Sequence, residues 1–468
     1  MTCSSVSRGQ AFCNAPCHIH MIGIGGASMS GLARMLKEMG HTVTGSDRVD
    51  GDAVGKLRAL GIDVSIGHVS ENVHSADLVV YTAAIPEDNA ELTECRNRGI
   101  PALERSVVLG QISEGYEASL GVCGTHGKTT TTSMLAQMLI EAGMDPTVHI
   151  GGVLDAIGGS VRTGGSNIFL TEACEYKRNI LNIHTKSAVL LNIDKDHLDC
   201  YEDIDDIADA FRKYLRSLPS DGWALVNGDD ERAVQLLEGL SCKTFTFGRI
   251  NECDYQMTNI SEDEEGYVSC HVYYKDEKLG EMKMIVPGMF NAMNALAAIG
   301  AAHQLGADME KVFATAGKFT GARRRFEKTG ELNGAEIFHD YGHNPTEIKN
   351  ALYVARKRCR EGRLWAVVQP HTYSRLKASF DDYITCVGKA DVVLVTDIFA
   401  AREKDPGDIE SGMLVEAMQK VGVNAILTPG FADAAEEIRK GVAPGDLVIT
   451  LGCGDINGLN NMLAGQGE

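Results

Sequence analysis

The 468-residue chain contains no long hydrophobic run. Its most apolar stretches, such as Leu364–Val368, fall far short of the roughly 18 residues that a membrane span requires. No basic segment followed by an apolar one opens the sequence, so no secretory signal is expected and the cytoplasm is the expected compartment. Positive charge is also scarce. The sequence has 44 Lys and Arg against 64 Asp and Glu, a formal net charge of −20. Sequence-independent nucleic-acid binding needs a basic surface to neutralise phosphates, so nucleic acid is not an expected partner. The acidic excess reads as solubility. Among 13 cysteines there is no C-x-x-C pair. An odd count without paired spacing argues against a disulfide framework or a zinc site and for a reducing compartment. Cys13 and Cys17 fall in an opening stretch, residues 1–17, that reads as a disordered leader rather than as a redox or metal pair.

What is present is an ordinary soluble composition, long enough at roughly 100–200 residues per domain for about three domains. Strands alternate with helices. HIHMIGIG reads as a buried strand and a glycine turn, followed by a helix from Ser30. HTVTGSD, IDVSIG and DLVVYTAA supply further strands, and this unit ends near residue 116. A second unit starts with the strand SLGVCG and a helix from about Lys128. It continues through NIFLTE, SAVLLNI, a helix near 203–218 and WALVNG. From about 241 to 286, alternating stretches such as YVSCHVYY lie between acidic turns, which predicts antiparallel hairpins added to the sheet. Helices near 291–305 and 309–317 follow. The third unit carries LWAVVQP, DVVLVTD, NAILTPG and DLVITLG. The expected fold class is α/β, with three consecutive domains. These are a Rossmann-like domain (18–116), a central P-loop ATPase-like parallel sheet with added antiparallel strands (117–325), and a Rossmann-like C-terminal domain (326–468).

The stretch GVCGTHGKTTTT, residues 121–132, sits between a strand and a helix. Such a loop binds phosphate because backbone N–H groups converge at a helix start, a Lys adds charge and a Thr hydroxyl helps hold magnesium. Gly127, Lys128 and Thr129 supply the G-K-[ST] end. The glycine normally five residues before Gly127 is Val122 here, and glycines fall at 121 and 124 instead. Gly124, Thr125, Gly127, Lys128, Thr129 and Thr130 are the candidate contacts to ATP. Glu172 in TEACEYKR and His197 in NIDKDHLDCY follow two later strands. The C-terminal ends of parallel strands open onto one crevice. Thr129, Glu172 and His197 are therefore candidates for holding magnesium, with manganese as the alternative.

The spelling G-x-x-G-T-x-G-K-T resembles that of the Mur ligase family and its folylpolyglutamate synthetase relatives. PGMFNAMNALAA is similar to the family's P-G-x-H-N-x-x-N-A, whose asparagines contact adenine. The resemblance assigns that role to Asn291 and Asn294, and Phe290 replaces the histidine. FTGARRRF resembles an R-R-F signature at the hinge before the last domain, which implies that Arg324 and Arg325 stand beside the transferring phosphoryl group. HDYGHNPTEI resembles the D-Y-G-H-H-P-T-E of the branch that adds the first amino acid to the cell-wall precursor. Asp340, Tyr341 and His343 match, while Asn344 replaces the second histidine. QPHTYSRL, DIFAAREK and LGCGDI also have counterparts in that branch. An amino-acid carboxylate needs a cation, for which Arg375 is the candidate. Its amine must be neutral, and His343 or His371 could orient it or accept a proton.

The first glycine turn, HMIGIGGASMSGLA, matches G-x-G at Gly23 and Gly25 but has Ser28 at the third position. Asp47 follows at the distance of a ribose-binding acid, so a dinucleotide reading arises. In the branch resembled, this turn instead binds the diphosphate of a UDP-sugar, through the stretch holding Gly23, Gly25, Gly26, Ser28, Met29 and Ser30. Thr82 and Arg105 stand where the family approaches the sugar. The resemblance thus implies ATP-dependent joining of L-alanine to UDP-N-acetylmuramate through an acyl phosphate. It also implies a soluble protein that is a monomer or weak homodimer. Several members carry a carbamylated lysine beyond the D-H motif. Arg212 and Lys213 lie near that region, and no carbamate is expected. Three other readings remain: a recycling ligase that attaches a preformed peptide, an NAD-dependent oxidoreductase, and a non-catalytic UDP-sugar sensor with an ATP switch.

Overall fold

Three sheets organise the chain in this computed structural model, which describes residues 15–464. The expected leader lies outside the described residues except for its last three. Of these, Cys17 is tied to the first sheet. Its carbonyl accepts from the Thr42 N–H at 3.1 Å.

The first sheet has five parallel strands in the order Asp63–Ile66, Thr42–Asp47, His18–Ile22, Leu78–Tyr81, Ala102–Glu104. The central strand, His18–Ile22, is the most buried, as its apolar run requires. Successive strands are added first on one side of it and then on the other. That reversal opens a crevice at the strand ends, where the glycine turn lies. The following helix begins at Ala27, not Ser30, because Gly26 takes an extended conformation and serves as the N-cap. Helices Ala90–Arg98 and Arg105–Glu114 were not apparent in the sequence. The first is strongly polar and the second shows almost no one-sided apolar pattern, so neither carries the usual helical signal.

The central sheet has ten strands. Ala118–Cys123 runs parallel between Ile168–Glu172 and Ser187–Leu190. The antiparallel addition is smaller than expected. Lys243–Gly248 pairs parallel with Trp223–Asn227, and Tyr255–Glu262 joins it in parallel through two residue pairs. Only Tyr255–Glu262, Val268–Tyr274 and Glu277–Lys283 form the antiparallel meander. The other edge carries an unexpected hairpin, Thr147–Leu154 with Gly159–Arg162, which packs on helix Ala27–Glu38 of the first sheet.

The third sheet runs Glu327–Leu332, Ala335–Asp340, Leu447–Leu451, Leu364–Val368, Val392–Val395, Ala425–Leu427. Only the first strand is antiparallel. Leu364–Val368 and Leu447–Leu451 are buried along their whole lengths, as parallel strands covered on both faces must be. Among the described residues, no helix is long and apolar enough to cross a membrane.

Candidate active site

The phosphate loop lies where the buried strand Ala118–Cys123 meets helix Lys128–Glu141. Gly127 precedes the helix with φ +84° and supplies no capping side chain, so the first helical N–H groups are left for a ligand. A Cβ at Gly127 would collide with Asn294 Oδ1, so the loop and the Asn291/Asn294 helix approach as closely as a glycine allows. Lys128 Nζ donates to Gly124 O at 2.6 Å, Thr125 O at 2.9 Å and Glu175 Oε1 at 3.0 Å. Burial opposes the Lys128 charge, yet the Glu175 carboxylate outweighs it and the lysine stays protonated above its ordinary range. The Thr125 hydroxyl accepts from Asp194 N–H at 2.9 Å.

Thr129 Oγ1 donates to Glu172 Oε2 at 3.1 Å, and Glu172 Oε1 accepts from Gly151 N–H at 2.7 Å. Burial raises the Glu172 carboxyl above its ordinary range. His197, at φ +52°, joins the loop by another route, with Nε2 3.5 Å from Glu175 Oε1. Of the three expected metal residues, two touch each other and the third arrives through Glu175. Lys213 is exposed and pairs with Asp209 at 2.7 Å, and Arg212 reaches the same carboxylate at 3.8 Å.

A cavity of about 290 Å³ adjoins the loop. Gly127, Thr130, Asn291, Asn294, Arg325 and Asp340 line it. Asn291 Nδ2 donates to Pro287 O at 2.8 Å, which fixes its amide. Phe290 occupies the rim and is 37% exposed, an apolar ring in place of a donor. Asp340 is fixed by N–H groups of Phe326 at 2.8 Å and Gly342 at 2.7 Å.

The paired arginines part. Arg325 faces the cavity and lies 3.7 Å from Glu347 Oε1. Arg324, at φ +65°, turns into the third sheet, donating to Gly454 O at 2.9 Å and His339 Nε2 at 3.1 Å. Both guanidinium groups lie over the Tyr341 ring, at 4.7 and 5.0 Å from its centroid. In this conformation the cavity receives Arg325 alone.

A polar seam joins the central and third sheets beside the loop. Thr346 Oγ1 donates to Asp194 Oδ2 at 2.8 Å. His126 stands between Asp194 at 3.0 Å and Glu347 at 3.4 Å. Arg375 Nη2 donates to Asp196 Oδ1 at 2.8 Å. Burial disfavours the His126 charge, but hydrogen bonds to Asp194 and Glu347 prevail and raise its pKa from 6.5 to about 9. A raised value means that the contribution to stability is full below 6.5 and is lost as pH rises through about 9. Burial works against the Asp194 and Glu347 charges, but both values end up lowered, so their share is lost instead as pH falls through the acid range. His126→Gln is therefore expected to melt below wild type at neutral pH, with the difference closing above pH ~9. Thermal unfolding across pH tests this, and a pH-independent difference would refute the charged seam.

His343 and His371 come together in the third domain, with ring centroids 5.5 Å apart. His343 Nδ1 lies 3.2 Å from Tyr341 O. His371 Nδ1 lies 2.7 Å from Arg375 Nη1. Arginine only donates, so His371 Nδ1 accepts and a neutral His371 ring carries its proton on Nε2. Burial lowers His343 to about 4 and His371 to about 3. Both are neutral at pH 7, the form that can accept a proton.

A second cavity, about 750 Å³, opens at the first glycine turn. Gly23, Gly25, Gly26, Ser28, Met29, Asp47, Thr82 and Arg105 line it, whereas Ser30 does not. Asp47 accepts from Gly25 N–H at 2.8 Å and Val49 N–H at 3.1 Å. A Cβ at Gly25 would press on that carboxylate at 2.9 Å, which explains the glycine. Arg105 Nη1 donates to Ser28 Oγ at 2.8 Å. Tyr176 and Asn179 of the central segment and Arg402 of the third also reach this cavity. None of these three was expected from the sequence.

Three domains, a phosphate loop with an unusual glycine spelling and a polar seam between the second and third sheets define a three-domain ligase of the P-loop type, and family models match each domain. Models of the Mur ligase family match residues 18–117 (catalytic domain), 122–302 (middle domain) and 324–454 (glutamate ligase domain). The chain belongs to the Mur ligase family. A UDP-N-acetylmuramate–L-alanine ligase of Acetivibrio thermocellus is 43% identical over 95% of each chain. One from Clostridium novyi is 43% identical over 95% of this chain and 96% of its own. Among solved structures, UDP-N-acetylmuramate-alanine ligase MurC from Thermotoga maritima aligns with TM-score 0.81 at 26% identity, covering 96% of this chain and 99% of its own. A murein peptide ligase from Psychrobacter arcticus aligns with TM-score 0.73 at 26% identity, over 96% and 98%.

Proposed function

We propose that this chain joins L-alanine to the lactyl carboxylate of UDP-N-acetylmuramate, driven by ATP, in the synthesis of peptidoglycan precursors. The observation that carries this reading is one short segment that joins the phosphate loop to the cavity at the first glycine turn. Glu172 and Glu175 hold Thr129 and Lys128 of the phosphate loop, and Tyr176, the next residue, lines the cavity at the first glycine turn. A phosphate and a substrate from the other cavity thus meet at one place. Relatives of 43% identity bear that activity in their names, which supports the choice of substrates.

In this reading each proposed domain (18–116, 117–325 and 326–468) contributes one substrate site. The UDP-sugar lies along the open start of helix Ala27–Glu38, and Asn291 and Asn294 flank adenine. Lys128 and Arg325 offset the charge of the terminal phosphates. The lactyl carboxylate attacks the γ-phosphorus, its new O–P bond forms, the β–γ bridge breaks and ADP leaves. The amine of L-alanine then attacks the acyl carbon, the C–N bond forms and inorganic phosphate leaves. The amine proton passes to His343 or His371. Arg375 holds the amino-acid carboxylate. The hydroxyl of Thr129 and the carboxylate of Glu172 are oxygen donors that fit a hard divalent cation such as magnesium or manganese, with His197 and Glu175 beside them. When bound, that ion supplies charge neutralisation at the phosphates. The cytoplasm, where ATP is available, is the proposed compartment.

The test is phosphate release from ATP with magnesium and UDP-N-acetylmuramate, with L-alanine and L-alanyl-γ-D-glutamyl-diaminopimelate supplied separately and the product mass measured. Turnover with alanine and a one-residue mass gain are expected. Turnover only with the tripeptide would make the chain a recycling ligase. Tight UDP-sugar binding without turnover would make it a sensor.

A further inference from the structure

Three neighbouring parallel strands of the third sheet each deliver one metal-ligating side chain just past their C-terminal ends. Ala335–Asp340 leads to His343, Leu447–Leu451 to Cys453 and Leu364–Val368 to His371. The cysteine strand lies between the other two. One ligand atom from each residue lies within 4.8 Å of the other two, and all three residues are half-buried. We propose that His343, His371 and Cys453 form a binding site for a thiophilic divalent cation of the zinc class, and that its occupancy blocks the amino-acid step.

The donor set decides the class of ion. Two imidazoles and a thiolate suit zinc or cobalt, whereas the oxygens of Thr129 and Glu172 suit magnesium. Three protein ligands leave a fourth position for water. Each ligand stands within three residues of the end of an interior strand, so the ligands are held near their positions before metal arrives. The loops are further fixed: the Tyr383 hydroxyl donates to the His343 carbonyl, and His371 stacks on Phe399 at 5.7 Å. Ligation requires neutral imidazoles and a thiolate. Uptake forms the metal–sulfur bond, breaks S–H and releases one proton to solvent. Oxidation states do not change.

Occupancy has a consequence for Arg375. If His371 ligates through Nδ1, Arg375 is displaced from that atom. If it ligates through Nε2, Nδ1 must carry the proton and can no longer accept from Arg375. Either way the 2.7 Å bond between them is lost, and both histidines leave the proton-accepting role. This inhibitory part rests on the proposed function, whereas the metal site does not. Cysteine spacing in the sequence concealed the site, because its ligands are separated by 28 and 82 residues and are united only by strand order.

The experiment is titration of the full chain with Co²⁺ in magnesium- and nucleotide-free buffer. One equivalent is expected to bind with a thiolate-to-cobalt charge-transfer band, released by added Zn²⁺. Cys453→Ala and Cys453→Ser, each checked for wild-type melting, are expected to lose that band, while Cys253→Ala keeps it. No band in wild type, or a band surviving in both Cys453 variants, would overturn the site. In ligase assays with excess magnesium, zinc is expected to inhibit wild type reversibly and to inhibit Cys453→Ala at least about tenfold more weakly, a difference of 1.4 kcal/mol. Equal zinc sensitivity would overturn the inhibitory role. A cobalt band in a chain with no ligase turnover would uphold the site and remove the proposed function instead.

Discussion

Replacing Lys128 by alanine is expected to lower substrate-dependent phosphate release by about 10²–10³-fold, the usual cost of losing one fixed electrostatic partner of a developing charge. The lysine is well placed for such an effect. Its side chain is 13% exposed, it sits at the first position of the loop helix, and two loop carbonyls and Glu175 hold it. The same substitution strands Glu175, whose side chain is 2% exposed. Removing one partner of a buried pair costs about 3–5 kcal/mol, because the other charge is left uncompensated. A loss of activity alone would therefore be ambiguous. The double variant Lys128→Ala/Glu175→Gln separates the two effects. It is expected to recover most of the melting temperature and none of the phosphate release. If activity returned with stability, Lys128 would be a structural residue and not a phosphate ligand. Since its ordinary value is 10.5 and burial beside Glu175 ends in a raised one, the lysine contributes its full stabilising charge at neutral pH.

The parts of this site that were legible in the sequence are those built from one strand end and the turn after it. The loop at Gly124–Thr130, the asparagines at 291 and 294 and the glycine turn at Gly23–Gly26 all carry their chemistry within a dozen residues. Strand order then brings each to a crevice, as parallel sheets require. What the sequence hid was made by contact between distant segments. His126 reads as a spacer within the phosphate loop until Asp194 and Glu347 flank it. Arg402 and Tyr176 reach the second cavity from two other sheets, and no local pattern marks them. Arg324 and Arg325 look equivalent in a row of three arginines, but the positive φ at Arg324 sends the two side chains to different places. The hairpin at 147–162 escaped notice because its strands are interrupted by glycines and one face is already spoken for by a helix from another sheet.

Arg375→Ala is expected to raise the KM for L-alanine steeply and to cut kcat/KM for it by about 30-fold or more, the loss that follows when a buried hydrogen-bonded charge pair worth roughly 2–5 kcal/mol is truncated. Here the guanidinium makes two bonds to Asp196, at 2.8 and 3.1 Å, and a third to His371 at 2.7 Å. It thus already pins the third domain to the central one. Burial works against the Asp196 charge, but His197 and Arg375 overcome that and hold its carboxyl well below the usual range. An arginine that only closes the domains and one that also binds the amino acid make different predictions. Closure affects every substrate, since the whole site assembles or does not. Asp196→Ala, which breaks the same clasp from the other side, is therefore expected to lower kcat while leaving the KM for L-alanine within a few-fold of wild type. Arg375→Lys keeps the charge but loses the fork that matches a carboxylate, so it is expected to resemble Arg375→Ala in KM rather than wild type. Steady-state kinetics with each substrate varied in turn reads all three variants. If Asp196→Ala and Arg375→Ala showed the same profile, the arginine would be a domain clasp alone, and the amino-acid carboxylate would have to be held elsewhere. The alternative outcome gives Arg375 a sequence of partners: Asp196 while the site is empty, and the alanine carboxylate once the acyl phosphate has formed.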